Sequence, residues 1–105
     1  MERQAYTILY TPEYREWFAI QTDKTRAQIL ARLSRIQDQG YFGEVRNLGD
    51  YVWELKWKNG RRLYYAPIPE KKILVLIGGN KNGQSKDIHQ AKKILQTHIT
   101  FEKPR

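Results

Sequence analysis

The chain has no cysteine, which removes disulfides and thiolate metal sites from consideration. No apolar run approaches the roughly 20 residues that a membrane-spanning helix needs. The first residues, MERQAYTILYTPEYREW, carry acids and Pro12 where a secretory signal requires an unbroken apolar core. Histidine is scarce, and His89 and His98, about 2.5 helical turns apart, do not make a metal site. No internal repeat, low-complexity tract or Pro/Gly/Ser linker divides the sequence. These absences point to one cytoplasmic domain over residues 1–105, working without metal, cofactor or membrane.

What is present fits that reading. A chain of 105 residues with 40% hydrophobic and 12% aromatic content supports one core and one domain. The net charge of +8 predicts attraction to a polyanion: RNA, DNA, an acidic membrane face or an acidic protein. The distribution of charge is more telling than the total. From Lys56 to Arg62 there are four cations, Lys56, Lys58, Arg61 and Arg62, and no acid. Like charges so close repel, and an anion would offset that cost.

Local signals give the element order. Ala5–Tyr10 reads as an opening strand, and Thr11-Pro12-Glu13 as a helix start with Thr11 as N-cap. Tyr14, Trp17, Phe18 and Gln21 follow at helical spacing. A second helix, capped by Asp23, runs to Gln39 before Gly40 stops it. Its apolar stripe is Ile29, Leu30, Leu33 and Ile36, with Lys24, Gln28, Arg32 and Arg35 opposite. The pattern then changes period. Glu44–Leu48, Tyr51–Trp57 and Arg61–Ile68 read as strands. Ile73–Ile77, apolar on both faces, belongs mid-sheet under cover on both sides. A last helix spans Ser85–His98, with Ser85 as its cap and Ile88, Ala91 and Leu95 buried. The fold class is α+β, in the order β-α-α-β-β-β-α, with a helical hairpin on a mainly antiparallel sheet.

Burial decides the register of the hairpin around Asn59-Gly60. A two-residue turn would mix apolar and charged residues on both faces. A three-residue loop, Lys58-Asn59-Gly60 with Gly60 left-handed, shifts the pairing by one. Leu55 then faces Leu63 and Trp53 faces Tyr65 on an apolar side. Lys56 faces Arg62 and Glu54 faces Tyr64 on the other, expected to be presented as a group.

The strand Ile73–Ile77 leads into Gly78-Gly79-Asn80-Lys81-Asn82-Gly83-Gln84-Ser85-Lys86-Asp87. This is neither a G-x-x-x-x-G-K-[ST] phosphate loop nor a G-x-G-x-x-G unit. Its glycines allow close backbone approach, and Lys81 is expected to join Lys56 and Arg62 around one open anion pocket. Glu54-Leu55-Lys56, Arg62-Leu63-Tyr64-Tyr65 and the run from Gly78 to Ala91 together resemble the RelE/ParE superfamily of toxin–antitoxin toxins. The similarity is greatest to the HigB-like, phage Gp49-related "addiction module killer" branch, and it departs at Asn80, where the family usually has Asp. The resemblance implies a RelE-like fold, a cognate helix-turn-helix antitoxin and ribosome-dependent cleavage of mRNA. It also admits a ParE-like inhibitor of DNA gyrase that cuts nothing.

Metal-free RNA cleavage needs the 2′-OH activated, the phosphorane charge stabilised and the leaving oxygen protonated. Arg62, planar and always charged, suits the phosphorane. Lys56 or Lys81, crowded by other cations, and Tyr64 suit proton exchange. Lys58, Arg61, Gln84 and Lys86 are candidate substrate contacts, and Glu54 and Asp87 candidate orienting groups. Against each stands a plainer reading: Glu54 and Asp87 as structural acids, Lys58 and Arg61 as solvated charges, Trp53 and Trp57 as packing. A non-toxic basic nucleic-acid-binding module remains the third reading.

Overall fold

The computed structural model describes residues 4–102, with side-chain surroundings to residue 99; residues 1–3 and 103–105 of the expected domain lie outside that range. The elements are β1 (Thr7–Tyr10), α1 (Pro12–Ala19), α2 (Asp23–Gln39), β2 (Val45–Asn47), β3 (Trp53–Lys56), β4 (Arg61–Ile68), β5 (Lys72–Asn80), a 3-10 turn (Lys81–Gly83) and α3 (Gln84–Glu102). The sheet order is β1-β5-β4-β3-β2. β1 runs parallel to β5, and the remaining neighbours are antiparallel. The mixed α+β class agrees with the expectation, and four strands stand between α2 and α3, one more than the order β-α-α-β-β-β-α contains. None of the described helices is long and apolar enough to cross a membrane.

Local chemistry accounts for the helix boundaries. The Thr11 hydroxyl accepts from the Tyr14 backbone N–H and donates to the Leu76 carbonyl, so one side chain caps α1 and ties it to β5. α2 is capped by Thr22 rather than Asp23: the Thr22 hydroxyl accepts from the Thr25 N–H, and Asp23 becomes the first helical residue. Its C-cap is Gly40, as expected. α3 begins at Gln84, so Ser85 is already inside it. The capping side chain is Asn80, which serves the preceding 3-10 turn by accepting from the Asn82 N–H.

Both faces of the sheet are covered. On one, Tyr14, Ile29, Leu33 and Ile36 pack on Leu55, Leu63, Tyr65, Ile73 and Val75. On the other, Ala91, Ile94 and Leu95 of α3 pack on Val52, Tyr64, Ala66 and Leu76. Leu30, placed by its spacing in the α2 stripe, is half exposed. Gln28 and Arg32, placed on the outer side, reach back to the strands. The buried arc is therefore narrower than four residues and flanked by long polar side chains that bridge to the sheet.

Candidate functional site

The β3–β4 hairpin sets the site, and its register is the bulged one. Trp53 pairs with Tyr65, Glu54 with Tyr64, Leu55 with Leu63 and Lys56 with Arg62. The Gly60 N–H donates to the Trp57 carbonyl at 3.1 Å and the Trp57 N–H to the Arg61 carbonyl at 3.0 Å, closing the loop Lys58-Asn59-Gly60. Gly60 has φ +100°, which a side chain would strain. Adjacent arginines therefore point to opposite faces. Arg61 turns toward α2, donating to Gln28 Oε1 and, at 3.0 Å, to the Thr25 hydroxyl. Arg62 turns toward α3.

On that second side the structure departs from the expectation of a presented face. Glu54 and Tyr64 have no exposed surface, and Arg62 retains 9%. The cause is α3, whose apolar stripe needs a partner and finds Val52, Tyr64 and Leu76. Glu54 is paid for by three groups: Gln84 Nε2 donates to it at 2.7 Å, Arg46 Nε lies at 3.2 Å and Arg62 Nε at 3.7 Å. The Arg62 guanidinium also donates to the carbonyls of Trp57 and Arg61. The Tyr64 hydroxyl is buried beside Glu54 without a well-aligned partner. Burial, then the carboxylates of Glu54 and Asp87, hold its phenol far above the ordinary value, with Arg62 opposing. Tyr64 is thus a neutral phenol locked in the protein.

The glycine pair of the Gly-Gly-Asn-Lys motif serves both layers at once. A Cβ on Gly78 would stand 2.3 Å from the Trp17 ring, and one on Gly79 2.1 Å from an Asp87 carboxylate oxygen. Gly78 lets α1 approach the sheet and Gly79 lets α3 do so. Burial raises the Asp87 carboxyl above its usual range, opposed by the Asn80 backbone N–H and by Lys86. Asp87 therefore latches the start of α3 to the end of β5, and Gln84 latches it to β3.

The remaining candidates lie around the hairpin tip. Lys56 stands directly across from Arg62, which in turn pairs with Gly79. Lys81 donates its backbone N–H to Gly60 at 2.8 Å and runs its side chain along that glycine. Lys56 is 3.5 Å from Glu44 and partly exposed. Lys58, Lys81 and Lys86 are exposed. Arg61 lines a cleft of about 310 Å³ with Trp17, Gln21, Thr25, Asn59 and Asn80, whereas Lys56 and Lys58 line another of about 300 Å³ with Arg32, Arg35, Tyr41 and Trp57. The cations thus surround the hairpin end from two sides, in place of the single open pocket expected.

Sequence reasoning missed Arg46 and Arg32. Arg46 lies opposite Glu54 across β2 and β3, an opposite-charge cross-strand pair that becomes visible once those strands are put in register. Arg32 stacks on Trp57, 4.4 Å from the ring centroid, and donates to the carbonyls of Phe42, Lys56 and Glu44. No local signal marks it, because its partners come from two separate parts of the chain, residues 42–44 and 56–57.

Comparison with known proteins places this geometry among relatives. Residues 16–98 match the family described as phage derived protein Gp49-like. An uncharacterized protein of Haemophilus influenzae is 36% identical over 75 residues, covering 70% of this chain and 75% of the relative. A mutant of the Escherichia coli toxin RelE, solved in the free state, superimposes with a TM-score of 0.67 at 18% identity, covering 84% of this chain and 94% of that one. RelE in the intact E. coli RelBE toxin–antitoxin complex gives a TM-score of 0.58 at 21% identity, covering 72% of this chain and 96% of the other. At such identities the structural likeness is one of fold.

Proposed function

The chain belongs to the phage-derived Gp49-like family and has the fold of RelE, and from that premise we propose that it is the toxin of a type II toxin–antitoxin pair, acting as a metal-independent endoribonuclease on ribosome-bound mRNA. The observation that carries the reading is the cross-strand row of Lys56, Arg62 and Gly79, with Lys81 folded against Gly60 beside it. No acid occurs between Glu54 and Glu70, so Lys58, Arg61 and Lys81 add positive charge at the hairpin end beyond the pairs Lys56–Glu44 and Arg62–Glu54.

In this reading Arg62 stabilises the phosphorane, and Lys56 and Lys81 exchange protons with the 2′ and 5′ oxygens. Glu54 holds the Arg62 guanidinium in place, and Tyr64, buried and neutral, supports Glu54 and Arg62 rather than touching RNA. Lys58 and Arg61 steer phosphate from the two sides of the turn. Lys86 extends the basic rim, and Gln84 acts as a positioning residue through Glu54. The ribosome supplies alignment that so few groups cannot supply alone. The antitoxin, a helix-turn-helix protein, brings an acidic segment onto the same cations, where desolvated charge pairs form the lock.

Induced expression tests this directly. Wild-type protein is expected to arrest growth, and co-expression of the neighbouring antitoxin to restore it. Arg62→Lys, which keeps a charge beside Glu54 but loses the planar fork, and Lys81→Ala, at an exposed position, should each relieve arrest at unchanged soluble level. Arrest accompanied by DNA breaks and intact transcripts would instead select a gyrase inhibitor. No arrest at all, with salt-sensitive RNA binding, would leave a basic binding module.

A further inference from the structure

The cleft between the end of α2 and the β2–β3 edge is built for more than steering. Its floor is Arg32, partly buried, whose hydrogen-bond acceptors are three backbone carbonyls and whose guanidinium carbon sits over the Trp57 ring. Burial lowers the pKa of this guanidinium, yet an arginine stays charged. Arg35, Lys56 and Lys58 line the cleft with it, against one acid, Glu44, which is already paired with Lys56. At the rim Tyr41 is 58% exposed, an aromatic ring largely open to solvent.

We propose that this cleft is a binding subsite for single-stranded RNA, in which Arg35 and Lys58 take phosphates and Tyr41 stacks on a base. The assignment of RNA among polyanions rests on the function proposed above; the subsite itself rests on the cleft. A flexible single strand fits the combination best, because it offers phosphates and an unpaired base face within one small volume. A duplex hides its bases from an aromatic rim. Arg32 is the positioning residue: it ties Phe42 and Glu44 to Lys56, which fixes the wall that carries Tyr41. Strand leaving the Lys56–Arg62 row would enter the cleft directly, since Lys56 belongs to both.

The test is a titration of the full-length purified protein with a fluorescent RNA of about ten nucleotides, a length within the usual single-strand site size. The RNA carries 2′-O-methyl groups, which remove the nucleophile and so separate binding from cleavage. Tyr41→Ala is expected to weaken binding roughly tenfold with the salt slope unchanged. Arg35→Ala and Lys58→Ala should each weaken it and lower the slope of log K against log salt by about 0.7. Lys93→Ala, an exposed cation of α3 outside the cleft, should leave both unchanged. The inference is overturned if Lys93→Ala weakens binding as much as Arg35→Ala, if Tyr41→Ala has no effect, or if duplex DNA competes equally. A protein that fails to arrest growth can still pass this assay, and a growth-arresting one can fail it.

Discussion

Glu54 concentrates the energetics of the site at the scale of one side chain. A fully buried carboxylate survives only because Gln84, Arg46 and Arg62 converge on it. Removing it would leave Arg62 buried with no carboxylate beside it. Glu54→Ala is therefore expected to lower the unfolding free energy by about 3 kcal/mol, the scale for breaking a buried pair, as read from urea denaturation. A loss below about 1 kcal/mol would mean the network is far more solvated than its burial indicates. Charge and spacing gave a fair picture of which residues matter here, since Lys56, Arg62, Glu54 and Tyr64 do meet across two strands. They gave a poor picture of exposure. A face bearing Glu, Lys, Arg and Tyr reads as a surface, but here Glu54 draws in Gln84, Arg46 and Arg62 while Val52, Tyr64 and Leu76 supply the apolar area beneath α3.

Between elements, the two glycines at the end of β5 decide how closely the layers approach. Gly78→Ala forces a methyl into the rigid Trp17 ring and should destabilise by roughly 1–3 kcal/mol, the range for overpacking. Gly83→Ala places its Cβ 3.4 Å from Asp87, an ordinary contact, and should stay within about 0.5 kcal/mol of wild type. Thermal or urea unfolding of the pair checks the contrast, and equal losses would contradict the packing described. The hairpin was the most legible element, because alternation in both strands and a single turn glycine leave one register that buries all the apolar side chains. The cover over the second sheet face was legible too, in Ile73–Ile77 being apolar on both sides. Its identity as α3 was not, because only tertiary contact matches the stripe of Ala91 and Leu95 to that face. The clefts were least legible, since Arg32 and Arg61 find partners 10 to 36 residues away.

For the molecule as a whole, a net charge of +8 meets a sheet that is closed on both faces. The broad faces being occupied by helices, charge is available for binding at the hairpin end and along the β2–β3 edge. That arrangement suits an extended polyanion crossing the end of the sheet. On the proposed function, one antitoxin segment laid along the same path would silence the protein. The account stands on cleavage of mRNA during translation, and mapping of RNA 5′ ends after brief induction of the wild-type protein tests it most directly. New ends confined to translated regions, and lost when initiation of that message is blocked, are the predicted result. Growth arrest with every transcript intact would contradict it.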